Sequence, residues 1–291
     1  MKRSLFTLLV LALCAALLLC ACGKKDPAPA VPDGPVTPDD AATPVEPVQP
    51  TEPTVPIEPP QPAEPAPPAP PALPQITSDS RTGSYTPGGD VPELLQYDLT
   101  WPVCDELPGV SLYYQQQSAE LVSYFESDVK GVQSRYADAV EYHMEFMPDV
   151  HEMGFSVMRN DGATLSILQD LYEHLGGAHP GMSYFARTWR VESETLLTLD
   201  DLFTVPESEW LPRILQAVEA QMDQREAEDG PLYYESARAD LADLFGADDF
   251  YLTEDSLVVF FNEYSIGPYM IGAQFFEIPL SDLSDMIEAW L

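Results

Sequence analysis

Four histidines occur in 291 residues, and their neighbours decide which chemistry each can do. His151-Glu152 starts like the zinc-protease pattern HExxH, but Met153, Gly154 and Phe155 follow and the second histidine is absent. His174 and His179, with Asp170 and Glu173 beside them, form the one close histidine pair with carboxylates, the composition of a zinc or general-base site. On a strand, Glu173 and His174 face opposite sides, so a shared metal is disfavoured. Gly176 and Gly177 instead permit a sharp turn in which His179 bonds locally and fixes the loop. Asp200-Asp201 suits calcium or the cap of a short turn. No G-x-S-x-G elbow, phosphate loop or dinucleotide fingerprint is present. We therefore assign no catalytic residue, no metal ligand and no cofactor. The binding candidates are His179, Tyr264 and Tyr269. The two tyrosines lie in Tyr264–Gly272, which reads equally as a partner-binding loop or as a bulged crossover with its rings packed inward.

Cysteine chemistry is informative at the N-terminus. Lys2 and Arg3 precede an apolar run from Leu5 to Leu19, and Ala21 stands just before Cys22. This is the pattern of a secretory signal ending at a lipoprotein cleavage site, which makes Cys22 the expected lipidation site. The run is shorter than the ~20 residues of a spanning helix. An acylated Cys22 would hold the mature protein on the outer face of the cell membrane. From Asp26 to Pro74 the chain carries 19 of its 30 prolines and no lysine or arginine. Proline removes backbone donors and the stretch offers little apolar surface, so a disordered tether is expected. In polyproline form it would reach on the order of 100 Å or more. Cys104 is the only cysteine beyond the tether, which leaves no internal disulfide and suits a buried small hydrophobe.

The remaining 200 or so residues can bury a core of their own. With 48 acidic against 13 basic residues, the formal net charge is −35. Such a field repels phosphate backbones and excludes nucleic acid as a partner; it favours basic proteins or cations. Alternation predicts strands at 138–147, 152–158, 182–191, 250–253, 257–261 and 273–279. Helical spacing predicts helices at 118–136, 208–226 and 237–245, and one closing the chain from Ser281 with Leu283, Met286, Ile287 and Trp290 inward. Residues 163–175 fit a helix by spacing, or a hairpin strand by the Asn160-Asp161-Gly162 turn before them. The fold class expected is α+β, a mainly antiparallel sheet with packed helices.

Three segments in sequence resemble a known family: Leu175-Gly-Gly-Ala-His-Pro180, Leu197-Thr-Leu-Asp-Asp-Leu-Phe203, and Phe250 through Tyr264-Ser-Ile-Gly-Pro-Tyr-Met-Ile-Gly272 to Leu280. Together they resemble the exported domain of unknown function in the ectodomain of the lysozyme-sensing anti-sigma factor RsiV, also found ahead of the catalytic part of the peptidoglycan deacetylase PdaC. The resemblance implies an antiparallel α+β fold and favours a strand at 163–175. It also implies a companion subdomain (89–174) ahead of the RsiV-like domain (175–291), which completes a division that the residues themselves begin with a signal peptide (1–21) and a lipidated cysteine and proline-rich linker (22–88). Only Met1–Ser4 precede the apolar run, and no deacetylase domain follows Leu291, so neither an anti-sigma nor a deacetylase role is expected. The expected function is that of a surface-anchored, non-enzymatic binding module for lysozyme or another cationic envelope protein. The alternative is a peptidoglycan hydrolase or deacetylase accessory acting through His174 or His179.

Overall fold

A computed structural model describes residues 73–246 and 249–291. The leader, Cys22 and most of the expected tether lie outside that range. Six strands form the larger sheet in sequence order: β1 Thr77–Tyr85, β2 Leu95–Val103, β3 Asp149–Asn160, β4 Thr164–His174, β5 Gly181–Arg190 and β6 Thr195–Leu197. Every neighbouring pair is antiparallel except β2 and β3. A parallel pair needs a long crossover, and helices α1 Pro108–Ser127 and α2 Val129–Glu141 supply it. Period-2 alternation sets the faces: Leu95, Tyr97 and Leu99 are buried while Gln96 and Asp98 are exposed. The buried face packs on Val110, Tyr114, Val122 and Phe125 of α1.

A second sheet, β7 Phe250–Leu252, β8 Ser256–Phe261 and β9 Gln274–Pro279, is antiparallel, with β7 and β8 buried on both faces and β9 at a partly exposed edge. One face, with Phe250, Val259, Phe261 and Phe276, meets Trp210, Ile214, Val218 and Met222 of α3 Glu207–Asp229 and Leu241 of α4 Ala237–Leu244. The other face, with Tyr251, Val258 and Phe260, packs with Phe275 on Leu168, Tyr184 and Ala186 of the large sheet. The protein is thus layered helix, sheet, sheet, helix. All six residues of β8 are buried, which explains why its sequence is a continuous apolar run rather than an alternating one. Among the described residues no helix is long and apolar enough to cross a membrane.

The α+β class and the mainly antiparallel sheet stand, and 163–175 is strand β4. Several expectations are corrected. Residues 138–147 are no strand, since α2 runs to Glu141 and the chain leaves it through a left-handed His143 at φ 55°. Their alternation faces solvent, with Val140, Tyr142 and Met144 all more than half exposed. The helix expected at 118–136 starts at Pro108, a favoured first position, and breaks at Asp128. The closing helix is only a tight turn at Leu280–Leu283. Beyond it the backbone makes only isolated turns and bonds across to Leu202 and Thr204 (Thr204 N to Met286 O, 2.8 Å; Glu288 N to Leu202 O, 2.9 Å).

The expected division of the chain is corrected as well. β1 falls inside the stretch read as linker, because Thr77–Tyr85 contains no proline and pairs with β2 over its whole length. The boundary placed between residues 174 and 175 falls between β4 and β5, which pair from Thr164↔Arg190 to Glu173↔Gly181. The described residues, 73–246 and 249–291, lie within one compact unit.

Two substitutions test this packing by urea unfolding. Phe260→Ala empties a fully buried site between the sheets and should cost about 3–5 kcal/mol. Ser118→Ala removes a buried hydroxyl that has no hydrogen-bond partner and should be neutral or stabilising.

Candidate functional site

The site forms where the β4–β5 hairpin meets the segment that links β8 to β9. β5 pairs with β4 along one edge, but β6 covers its other edge only at Thr188–Arg190. Side chains that follow β8 close the rest. Asn262 Oδ1 accepts from Tyr184 N (2.7 Å) while its Nδ2 donates to Tyr184 O (3.1 Å). Glu263 Oε2 accepts from Met182 N (3.2 Å). An amide and a carboxylate therefore stand in for a missing strand, which satisfies backbone groups that would otherwise be open to another chain.

This docking brings all three binding candidates together. The His179 and Tyr269 rings stack with centroids 3.8 Å apart and planes 19° apart. Tyr264 lies 28° from the plane of Tyr269, with centroids 5.9 Å apart. Its hydroxyl is 3.0 Å from His179 Nε2, and His179 Nδ1 is 3.0 Å from Pro180 O. A carbonyl can only accept, so Nδ1 carries the proton; on the neutral ring Nε2 then accepts from the Tyr264 hydroxyl. Gly176 takes φ 72° in the hairpin, as the glycine pair suggested. Tyr264 itself sits at φ 64°, a conformation a bulky residue adopts only under tertiary constraint. The rings do not pack inward: Tyr264 is 43% exposed, and Met270 beside Tyr269 is 87% exposed. The result is a fixed aromatic face, suited to contact with a protein surface or a cation.

The other chemical candidates do not join it. His174 accepts a bond from Gly176 N (3.3 Å). His151 is buried on the opposite face of the sheet, stacked on Phe125 at 3.8 Å, with Nδ1 2.9 Å from Glu173 Oε1. Glu173 and His174 thus point to opposite sides, as their strand requires. Asp200 accepts from Trp210 Nε1 (3.0 Å), and Asp201 accepts from the backbone N–H and hydroxyl of Thr198 (both 2.8 Å), the capping role. Cys104 is buried, and burial pushes its thiol up in pKa. No group of three or more histidine, cysteine or acidic side chains that could hold a metal occurs among the described residues. Asn262 and Glu263 escape sequence reasoning, since nothing in their spacing marks a loop side chain as a partner for a strand 78 residues away in sequence.

Comparison with known proteins covers part of this site: the matched region holds Asn262, Glu263, Tyr264 and Tyr269 but not His179 or the β4–β5 hairpin. Residues 200–281 match the family described as "Protein of unknown function (DUF3298)". A curated relative, "Esterase Rv3036c" of Mycobacterium tuberculosis, is 29% identical over 140 residues, 48% of this chain; the chain spans 58% of that protein's length. Two crystal structures of DUF3298 family members share the fold. One, from Bacteroides fragilis, has a TM-score of 0.55 at 19% identity, covering 75% of this chain and 94% of that one. The other, from Pseudomonas aeruginosa PAO1, has a TM-score of 0.52 at 14% identity, covering 74% and 95%.

The edge closure yields two measurable outcomes. Asn262→Ala leaves Tyr184 N and O without their partner and should lower stability by roughly 1–3 kcal/mol. Burial lifts the Glu263 carboxyl above the usual carboxylate range, against the opposing pull of the Met182 N–H and His179. The folded state then takes up this proton before the unfolded chain does. The group costs stability above its folded pKa, and that cost fades as the pH falls through it. Denaturation of the wild type and Glu263→Gln, from neutral pH to about pH 4.5, should show the wild type gaining on the variant. A pH-independent difference would contradict this assignment.

Proposed function

We propose that this chain is a lipoprotein, anchored through Cys22 on the outer face of the cell membrane, whose folded part binds a cationic envelope-active protein such as lysozyme without transforming it. The observation that carries the reading is the convergence of His179, Tyr264 and Tyr269 into one rigid face with Met270 at its margin. Exposed aromatic side chains held in place need little ordering on binding, which is how interface anchors act. The charge balance supports a basic partner. Several of the few cations are already paired with the chain's own carboxylates: Arg135 with Asp149, the buried Arg159 with Asp161, and Arg238 with Asp223 and Glu226. The excess of carboxylates speeds encounter with a basic surface.

The full-length protein in detergent should bind lysozyme at low ionic strength and weaken as salt rises. Tyr269→Ala should weaken binding at least tenfold, about 1.4 kcal/mol, at every salt concentration. If lysozyme fails to bind in low salt, the partner assignment is lost; if Tyr269→Ala binds as the wild type does, the aromatic face is not the contact.

A second reading, ester hydrolysis, is favoured by the name of the Mycobacterium tuberculosis relative. The buried His151–Glu173 pair has the form of a base oriented by a carboxylate. Turnover of p-nitrophenyl acetate that vanishes in His151→Gln, with folding intact, would support that reading over the first.

A further inference from the structure

The small sheet covers β4 and β5 and meets β3 near its C-terminal end, at Met158 and through Arg159 Nη1, which donates to Thr253 O just after β7 (3.2 Å). The outward side of β1, β2 and the start of β3 is left open. Strand register fixes what lies there. Ser84 stands opposite Gln96, which stands opposite Val150; one step along, Thr82 stands opposite Asp98, which stands opposite Glu152. These six residues form two rows of three, and all but the half-buried Val150 are exposed. They line an open cleft of about 420 Å³, within the range of ligand sites. With strands about 4.8 Å apart and alternate residues about 7 Å apart along a strand, the array measures roughly 10 Å by 7 Å.

Its chemistry is selective. Hydroxyls, an amide and two carboxylates line the cleft with no lysine or arginine, so an anionic ligand finds no counter-charge. Asp98 and Glu152 face each other across neighbouring strands, and like charges so placed weaken a sheet. A hydroxyl-rich ligand relieves this arrangement, because ionised carboxylates accept hydrogen bonds and vicinal hydroxyls donate them. Val150 offers the apolar contact that the C–H face of a sugar ring requires.

We propose that the outward face of β1, β2 and β3 binds a neutral carbohydrate chain over Thr82, Ser84, Gln96, Asp98, Val150 and Glu152. This site is separate from the aromatic face and does not depend on the reading given for it.

The test is calorimetric titration of the full-length protein with a β-1,4-linked N-acetylglucosamine tetramer and, in parallel, cellotetraose. Calcium and polylysine serve as competing probes. Binding of either sugar, weakened at least tenfold by Glu152→Gln and by Asp98→Asn, supports the proposal, and the preferred sugar shows whether acetamido groups are read. Gln96→Ala gives the same readout should a carboxylate variant fail to fold. No sugar binding, sugar binding unchanged in all three variants, or binding of calcium or polylysine alone would overturn it.

Discussion

The seam between the two sheets is the contact on which the rest of the architecture depends. Phe260, fully buried, stacks on Phe275 at 5.3 Å, and Tyr184 of the large sheet meets Phe275 edge-on at 5.0 Å. Below them, Ser166 and Thr188 share a buried hydrogen bond of 2.6 Å, and Leu252 N donates to Ser166 Oγ at 3.1 Å. Aromatic burial supplies the attraction, and these polar links fix one register of β7 against β4 and β5. Because the register is fixed, the residues after β8 arrive beside the β4–β5 hairpin. The aromatic face exists only as a consequence of that arrival.

A two-sheet stack that is not closed has edges, and this fold covers several with side chains. Asn262 and Glu263 cover β5. On β9, Arg225 Nη2 donates to Phe275 O (2.6 Å) and Gln221 Nε2 donates to Glu277 O (2.9 Å), both reaching over from α3. Arg225 also lies over the Phe276 ring at 4.4 Å, so its cation is held by carbonyls and an aromatic face rather than by a carboxylate. Blocking edges in this way protects a protein from strand addition by other chains. It also converts the segments that do the blocking into rigid surface, which is the state an exposed recognition face needs.

The two surfaces with chemical character lie on opposite sides of this logic. The aromatic face is assembled from segments far apart in sequence and stiffened by hydrogen bonds. The polar array on β1 to β3 belongs to one sheet face and follows from register alone. Neither uses the His151–Glu173 pair, which lies on the face of the large sheet that packs on α1, where Phe125 stacks on His151.

Composition and periodicity by themselves determined the α+β class, the strongly acidic character, helices α3 and α4, and strands β3, β5, β7, β8 and β9. These follow from local patterns, such as the apolar run of Leu257–Phe261 or the helical spacing of Ile214, Val218 and Met222. His179, Tyr264 and Tyr269 were legible as candidates by residue type. Their convergence was not, since it needs the seam to bring the 175–180 turn against the 262–272 segment. Alternation misled at Val140, Tyr142 and Met144, where a period of two faces water and no core enforces it. β1 gave no apolar signal, because an edge strand with nearly every side chain exposed carries none. Only the tertiary structure decided that residues 89–174 and 175–291 share one sheet, that Glu263 is half-buried against β5, and that Asp98 faces Glu152, because backbone pairing between distant strands leaves no mark in the residues that make it.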